Sequence, residues 1–162
     1  MVNNNHGYEF EREVNQELIR LSSKVKGFYK HRLYDTKSFR RASEKLCCIE
    51  QPCDYLVVFR GDIYFLELKS CKKDNFPWAN IKPHQIAALT ESSKAGVKSY
   101  FIFNDRRVPH HFKAYATKIS DFLSMYASSC KPEVSWEVIK SVSYEIPRIG
   151  TDWNMEGFFG IY

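Results

Sequence analysis

Residues 54–69 read DYLVVFRGDIYFLELK, two apolar runs rich in β-branched and aromatic residues that are parted by Gly61-Asp62. A Gly-Asp pair suits a two-residue type II′ turn, so the stretch predicts a β-hairpin. With that turn, Arg60 faces Ile63, Leu56 faces Glu67 and Asp54 faces Lys69. Side chains alternate along a strand, which places Asp54, Leu56, Glu67 and Lys69 on one face. Leu56, Val57, Val58, Ile63, Tyr64, Phe65, Leu66 and Leu68 make both strands apolar on both faces, the pattern of a hairpin inside a protein. Charges carried into such a setting must be paired or must hold an ion.

On the N-terminal side, Val14, Leu18 and Leu21 continue a 3-4-3 spacing that begins at Glu11, predicting a helix over about 8–21 with Glu11 on its buried stripe. GFYKHRLY (27–34) reads as a strand. On the C-terminal side, Pro83 at a first helical position, Ile86 and Leu89 on one face and Gly96 as terminator predict a helix over 83–94. KSYFIFN (98–104) is a buried strand, and Ile119, Phe122, Leu123 and Tyr126 predict a third helix. SWEVIKSVSYEIPRIG (135–150) reads as strand or extended tail. The order is that of an α/β fold, a mixed central sheet flanked by helices. A length of 162 residues suits one domain, with a core over roughly 7–127, a basic insertion at 34–51 and a C-terminal extension at 128–162.

No stretch approaches the roughly 20 apolar residues that span a bilayer, and MVNNNHGYEF lacks the charged and apolar regions of a signal peptide. The expectation is a cytoplasmic protein without membrane contact, its five cysteines free thiols and not spaced for structural zinc. The net charge of +5 is unevenly placed: between Lys24 and Lys45 stand eight basic residues and two acidic ones. Phe28, Tyr29, Tyr34 and Phe39 are interleaved with them, which favours a partner that is polyanionic and stackable, nucleic acid. Phe76 and Trp78 suit core or interface packing as well as base stacking, and Arg106, Arg107, His110 and His111 read as a solvated loop. His84 suits packing or capping at a helix start.

An Asp–Lys bridge with an incidental glutamate is common on exposed sheets and contributes little. Here the strands are apolar, and Glu11 on a nominally buried stripe repeats the anomaly. Two or three carboxylates suit a hard divalent ion such as Mg²⁺, which keeps waters and takes substrate phosphate. A neighbouring lysine can orient a metal-activated water and offset transition-state charge. That is phosphodiester hydrolysis. Glycoside hydrolysis would leave the lysine and the basic surface without a use.

Asp54, Glu67 and Lys69 resemble the D…E-x-K signature of PD-(D/E)XK nucleases, whose core is restriction endonuclease-like. GYEFERE (7–13) resembles the opening of Hjc-type Holliday junction resolvases, and DYLVVFRGDIYFLELKSCKKDNFPWANIKPHQ (54–85) is similar to RecU-type resolvases, including the run Phe76-Pro77…Asn80-Ile81…His84-Gln85. The resemblance implies that Asp54, Glu67 and the Leu68 carbonyl hold Mg²⁺, with Mn²⁺ able to substitute. It implies that Lys69 positions the attacking water, that Glu11 completes the acidic cluster and that Gln85 stands near the metal. Arg12 would contact phosphate, and Lys30, Arg32, Lys37, Arg40, Arg41, Lys72 and Lys73 are the further DNA-contact candidates. It implies a homodimer whose two sites nick opposing strands of a four-way junction. Cys53 stands where RecU-type proteins usually carry a small hydroxyl residue, and residues 34–51 lie where they carry a stalk over the junction centre. The alternatives are another nuclease of the superfamily that cuts duplex or branched DNA, and a junction-binding protein without catalysis.

Overall fold

The structure is a computed structural model that describes residues 6–33, 51–109 and 111–161. The chain begins with helix α1 (His6–Lys24) and strand β1 (Tyr29–Arg32), then the hairpin β2 (Tyr55–Phe59) and β3 (Asp62–Cys71). Strand β4 (Asn75–Pro77), a 3₁₀ turn at Trp78–Asn80 and helix α2 (Pro83–Lys94) lead to β5 (Lys98–Asp105). Strand β6 (Lys113–Lys118), α3 (Ile119–Ala127), β7 (Glu133–Ser135), α4 (Trp136–Ser141) and β8 (Tyr144–Ile146) follow. The end of the chain forms β9 (Arg148–Ile149), β10 (Asp152–Trp153) and α5 (Met155–Phe159).

Six strands form one sheet in the order β1-β2-β3-β5-β6-β8. β3 and β5 run parallel and the other neighbours antiparallel, so the sheet is mixed. One face packs under α1 and the C-terminal segment through Phe10, Val14, Leu18, Leu21, Tyr55, Leu66, Leu68 and Trp153. The other packs under α2, α3 and α4 through Leu89, Phe101, Phe103, Phe122 and Trp136. The expected α/β class, a mixed sheet with flanking helices, is the class observed. Among the described residues no helix is long and apolar enough to cross a membrane.

The hairpin forms with a different turn. Arg60 (φ 52°) and Gly61 (φ 83°) are the two turn residues, the positive-φ pair of a type I′ turn, and Asp62 already pairs with Phe59. The register moves by two residues, so that Tyr55 faces Leu66, Leu56 faces Phe65 and Val58 faces Ile63. Leu56 therefore does not face Glu67, and Asp54 lies toward Glu67 instead of Lys69. An even shift leaves every side chain on its expected face, which is why alternation alone could not detect it. Arg60 tolerates the left-handed conformation with its guanidinium 4.9 Å from the Phe59 ring and donating to the Gly160 carbonyl at 3.2 Å.

Other elements also depart from expectation. Strand β1 is shorter than 27–34. In α1 the buried stripe runs through Phe10, Val14, Leu18 and Leu21, and Glu11 sits at its margin with a side chain 31% exposed. The segment expected as strand or tail starts as a helix, because the Ser135 hydroxyl accepts the Val138 amide, and only then joins the sheet as β8. Phe76 and Trp78 are core residues, packed edge-on against Phe103 and Phe122 respectively, and are not stacking platforms. Arg106 is buried and Arg107 is paired with Asp105, so neither belongs to a solvated loop; His110 lies outside the described residues. Cys53, Cys71 and Cys130 are free thiols.

Replacing Gly61 by alanine forces a Cβ into the left-handed region at the turn. The expected cost is about 1–2 kcal/mol, read from chemical denaturation midpoints. An unchanged midpoint would exclude the type I′ turn.

Candidate active site

Asp54 lies just before β2 and is held from three sides. Its amide donates to the Leu66 carbonyl at 3.1 Å, its carbonyl accepts the Leu33 amide at 2.9 Å, and its Oδ2 accepts the Leu68 amide at 2.7 Å. Because the N–H and C=O of one extended residue face the same neighbouring strand, the Leu68 carbonyl is directed to the same side as Asp54.

Glu67 is 3% exposed on the face covered by α2. Its Oε1 accepts from Lys69 Nζ at 2.8 Å and from the Gln85 side-chain amide. The Gln85 oxygen in turn accepts the Lys82 amide at 3.0 Å, so the glutamine has its nitrogen turned to Glu67. Pro83 at the start of α2 and this side-chain contact to Lys82 set where the helix begins, and hence where Gln85 stands.

Glu11 reaches the same place from α1, on the other side of the sheet. The two meet because the β2–β3 ladder stops where β2 begins. Arg32 pairs with Glu11 at 2.5 Å and stacks 5.8 Å from the Tyr55 ring, whose hydroxyl donates to the Glu11 carbonyl at 3.3 Å. A cleft of about 200 Å³ opens there, lined by Glu11, Asp54, Glu67, Gln85, His84 and Cys53 among others. A larger cleft, about 520 Å³ around Met125, Cys130 and Val138, has no such cluster and offers little chemistry.

Burial, and then the Asp54 charge, push the Glu67 carboxyl up to about 7 against the lowering influence of Lys69. The same two causes raise Glu11, opposed by Arg32 and Lys69. Three carboxylates thus carry more negative charge than Lys69 and Arg32 offset. Burial and the charges of Glu67 and Asp54 also push the Cys53 thiol up to about 12, which keeps it neutral. Among the described residues no group of three or more His, Cys, Asp and Glu side chains is arranged to hold a metal ion. The set that would serve is smaller, two carboxylates and a backbone carbonyl, and its hard oxygens and excess charge fit Mg²⁺.

The structure therefore brings Glu11, Asp54, Glu67, Leu68, Lys69 and Gln85 to one end of the sheet, with Arg32 engaged by Glu11. Arg12 is exposed on the outer side of α1, Lys30 donates to Asn15 at 3.0 Å, and Lys72 and Lys73 are exposed beyond the end of β3. Lys37, Arg40 and Arg41 lie outside the described residues. Tyr55 and Lys82 were not singled out in the sequence; both act through backbone contacts that residue type does not announce.

A family model described as Recombination protein U, RecU, matches residues 5–151. The chain belongs to the RecU family. Among solved structures it is similar to Hjc of Archaeoglobus fulgidus, described as a Holliday junction resolvase from an archaeal hyperthermophile. The two are 15% identical, with a TM-score of 0.50, over 83% of this chain and 94% of that one. At this identity the likeness is one of fold, and the RecU chain shares the restriction endonuclease-like core. No curated protein matches it.

If the carboxylate set holds a divalent ion, Mg²⁺ at a hundredfold excess over its Kd stabilises the wild type by about 2.7 kcal/mol. Thermal melts with Mg²⁺ and with EDTA should separate for the wild type and coincide for Asp54→Asn. Melts indifferent to Mg²⁺ in both proteins would remove the metal site.

Proposed function

We propose that this RecU-family chain is a Mg²⁺-dependent, structure-selective endodeoxyribonuclease that resolves four-way DNA junctions by paired symmetric nicks in recombination and repair. The observation that carries the reading is the convergence of Asp54, Glu67 and Lys69 at the end of the sheet, with Gln85 behind them. Asp54, Glu67 and the Leu68 carbonyl would hold the ion, and Mn²⁺ would be accepted by the same oxygens. When bound, Mg²⁺ supplies Lewis acidity and a water of lowered pKa. Gln85 fixes the Glu67 carboxylate, because its amide oxygen is already committed to Lys82. Lys69 is the group that orients the attacking water and offsets negative charge on the phosphate. Glu11 adds a third carboxylate from α1, and Arg32 keeps it at the cleft.

Arg12, Lys30, Arg32, Lys37, Arg40, Arg41, Lys72 and Lys73 are the proposed contacts to DNA phosphates. A homodimer suits the substrate, since a two-fold enzyme presents two equivalent sites to a two-fold junction.

The test is incubation of an end-labelled immobile junction and a matching linear duplex with the protein, in Mg²⁺ or EDTA, beside Glu67→Gln. Symmetric nicks on the junction, dependent on Mg²⁺ and abolished in Glu67→Gln with junction binding within a few-fold of wild type, are expected. Equal cutting of the duplex would make the chain a general nuclease, and binding without cutting would make it a junction-binding protein.

Charge reversal at Arg40 and Arg41 should weaken binding and reduce the slope of log affinity against log salt by about 2. An unchanged slope would take that segment off the DNA.

A further inference from the structure

Glu13 lies on α1 two residues beyond Glu11, and three donors from two distant parts of the chain converge on its carboxylate. Trp153 Nε1 donates to it at 2.9 Å, Arg106 lies at 3.6 Å and Arg148 at 3.7 Å. The Arg106 side chain is 2% exposed, and its other arm donates to Glu9 at 2.9 Å, one helical turn back. Its guanidinium stands 4.2 Å over Phe112, and that of Arg148 stands 4.9 Å over Trp153, whose ring meets Phe10 edge-on. The chemistry described above uses none of these residues.

A buried arginine shared between two carboxylates is a poor source of net stability, because desolvation offsets much of the attraction. It does define geometry, since it is satisfied only while Glu9 and Glu13 face it. At roughly 100° per residue, Glu9 and Glu13 lie on one flank of the buried stripe and Glu11 on the other. The apolar stripe tolerates a small roll of the helix. The ion pairs do not. A side chain tip about 5–6 Å from the axis moves roughly 2 Å for a roll of about 20°, enough to take Glu11 away from the cleft.

We propose that Glu13, with Arg106, Arg148 and Trp153, is a positioning device that sets the rotation of α1 and so holds Glu11 at the cleft it shares with Asp54 and Glu67. The inference rests on the metal-dependent nuclease reading. It assigns a task to the C-terminal hairpin β9–β10, whose Trp153 lies beyond the residues matched by the family. Glu13 and its donors act through Glu11; they are not catalytic residues.

A double-mutant cycle between Glu11 and Glu13 in the full chain tests it. Titration calorimetry with Mg²⁺ should show binding weakened about tenfold in Glu13→Leu, and kcat on the junction should fall about 10- to 100-fold with little change in KM. In the Glu11→Gln background, the same substitution should change Mg²⁺ affinity by less than about twofold. Trp153→Phe keeps the ring and removes the N–H; it should weaken Mg²⁺ binding in the same sense, and it decides the matter if Glu13→Leu does not fold. An equal fold-loss in both backgrounds, or unchanged Mg²⁺ affinity beside a lowered Tm, would reduce the contact to a structural brace and overturn the inference. A wild type that neither binds Mg²⁺ nor cuts DNA would instead overturn the nuclease reading, and the inference with it.

Discussion

A carboxylate at 3% exposure in the middle of an apolar strand is the constraint around which this protein is arranged. Glu67 sits between Leu66 and Leu68, and such a charge is tolerated only where donors or cations replace lost water. Lys69 and Gln85 supply the donors. Gln85 can do so because α2 begins at Pro83, one residue after the amide that occupies the glutamine oxygen. The start of that helix and the ionic state of Glu67 are thus one problem. Burial and the Asp54 charge raise its pKa against the lowering influence of Lys69, so the donors replace only part of the lost water.

The mixed sheet makes this arrangement possible. β2 pairs with the first half of β3 and begins beside Leu66, so Asp54 binds the Leu68 amide at the place where the β2–β3 ladder stops. Because that ladder stops, Glu11 and Arg32 from one face and Glu67 and Gln85 from the other line a single cleft. α1 is locked on its far flank by Arg106, Arg148 and Trp153, and the rotation of one helix is fixed by residues far along the chain.

The likeness of fold to Archaeoglobus fulgidus Hjc at 15% identity shows how little the fold depends on the particular core residues. Apolar side chains of suitable volume exchange freely in a core. The polar groups of the cleft depend instead on where the strands end and where the first turn of α2 begins. Cys53 illustrates the difference. It stands next to Asp54 but is buried, directed to the Tyr55 carbonyl and held neutral, so it adds bulk and no charge to the cleft.

Local periodicity was enough to read the hairpin, the limits of α2, and the shared face of Asp54, Glu67 and Lys69, because each depends on residues a few positions apart. It could not read the register, since a two-residue slip leaves every face unchanged and the choice of turn was made by Arg60 packing on Phe59 and binding Gly160, a hundred residues away. Strands β6 and β8 and helix α4 are short and partly polar, and they exist because the sheet edge and the Tyr115–Trp136 layer accept them. Arg106 read as solvated because arginine usually is; Glu9 and Glu13, some ninety residues earlier, bury it. Residue types and spacing determine which chemistry the chain carries. Where those groups point is decided by contacts distant in sequence, for which no local pattern of apolar and polar residues holds any record.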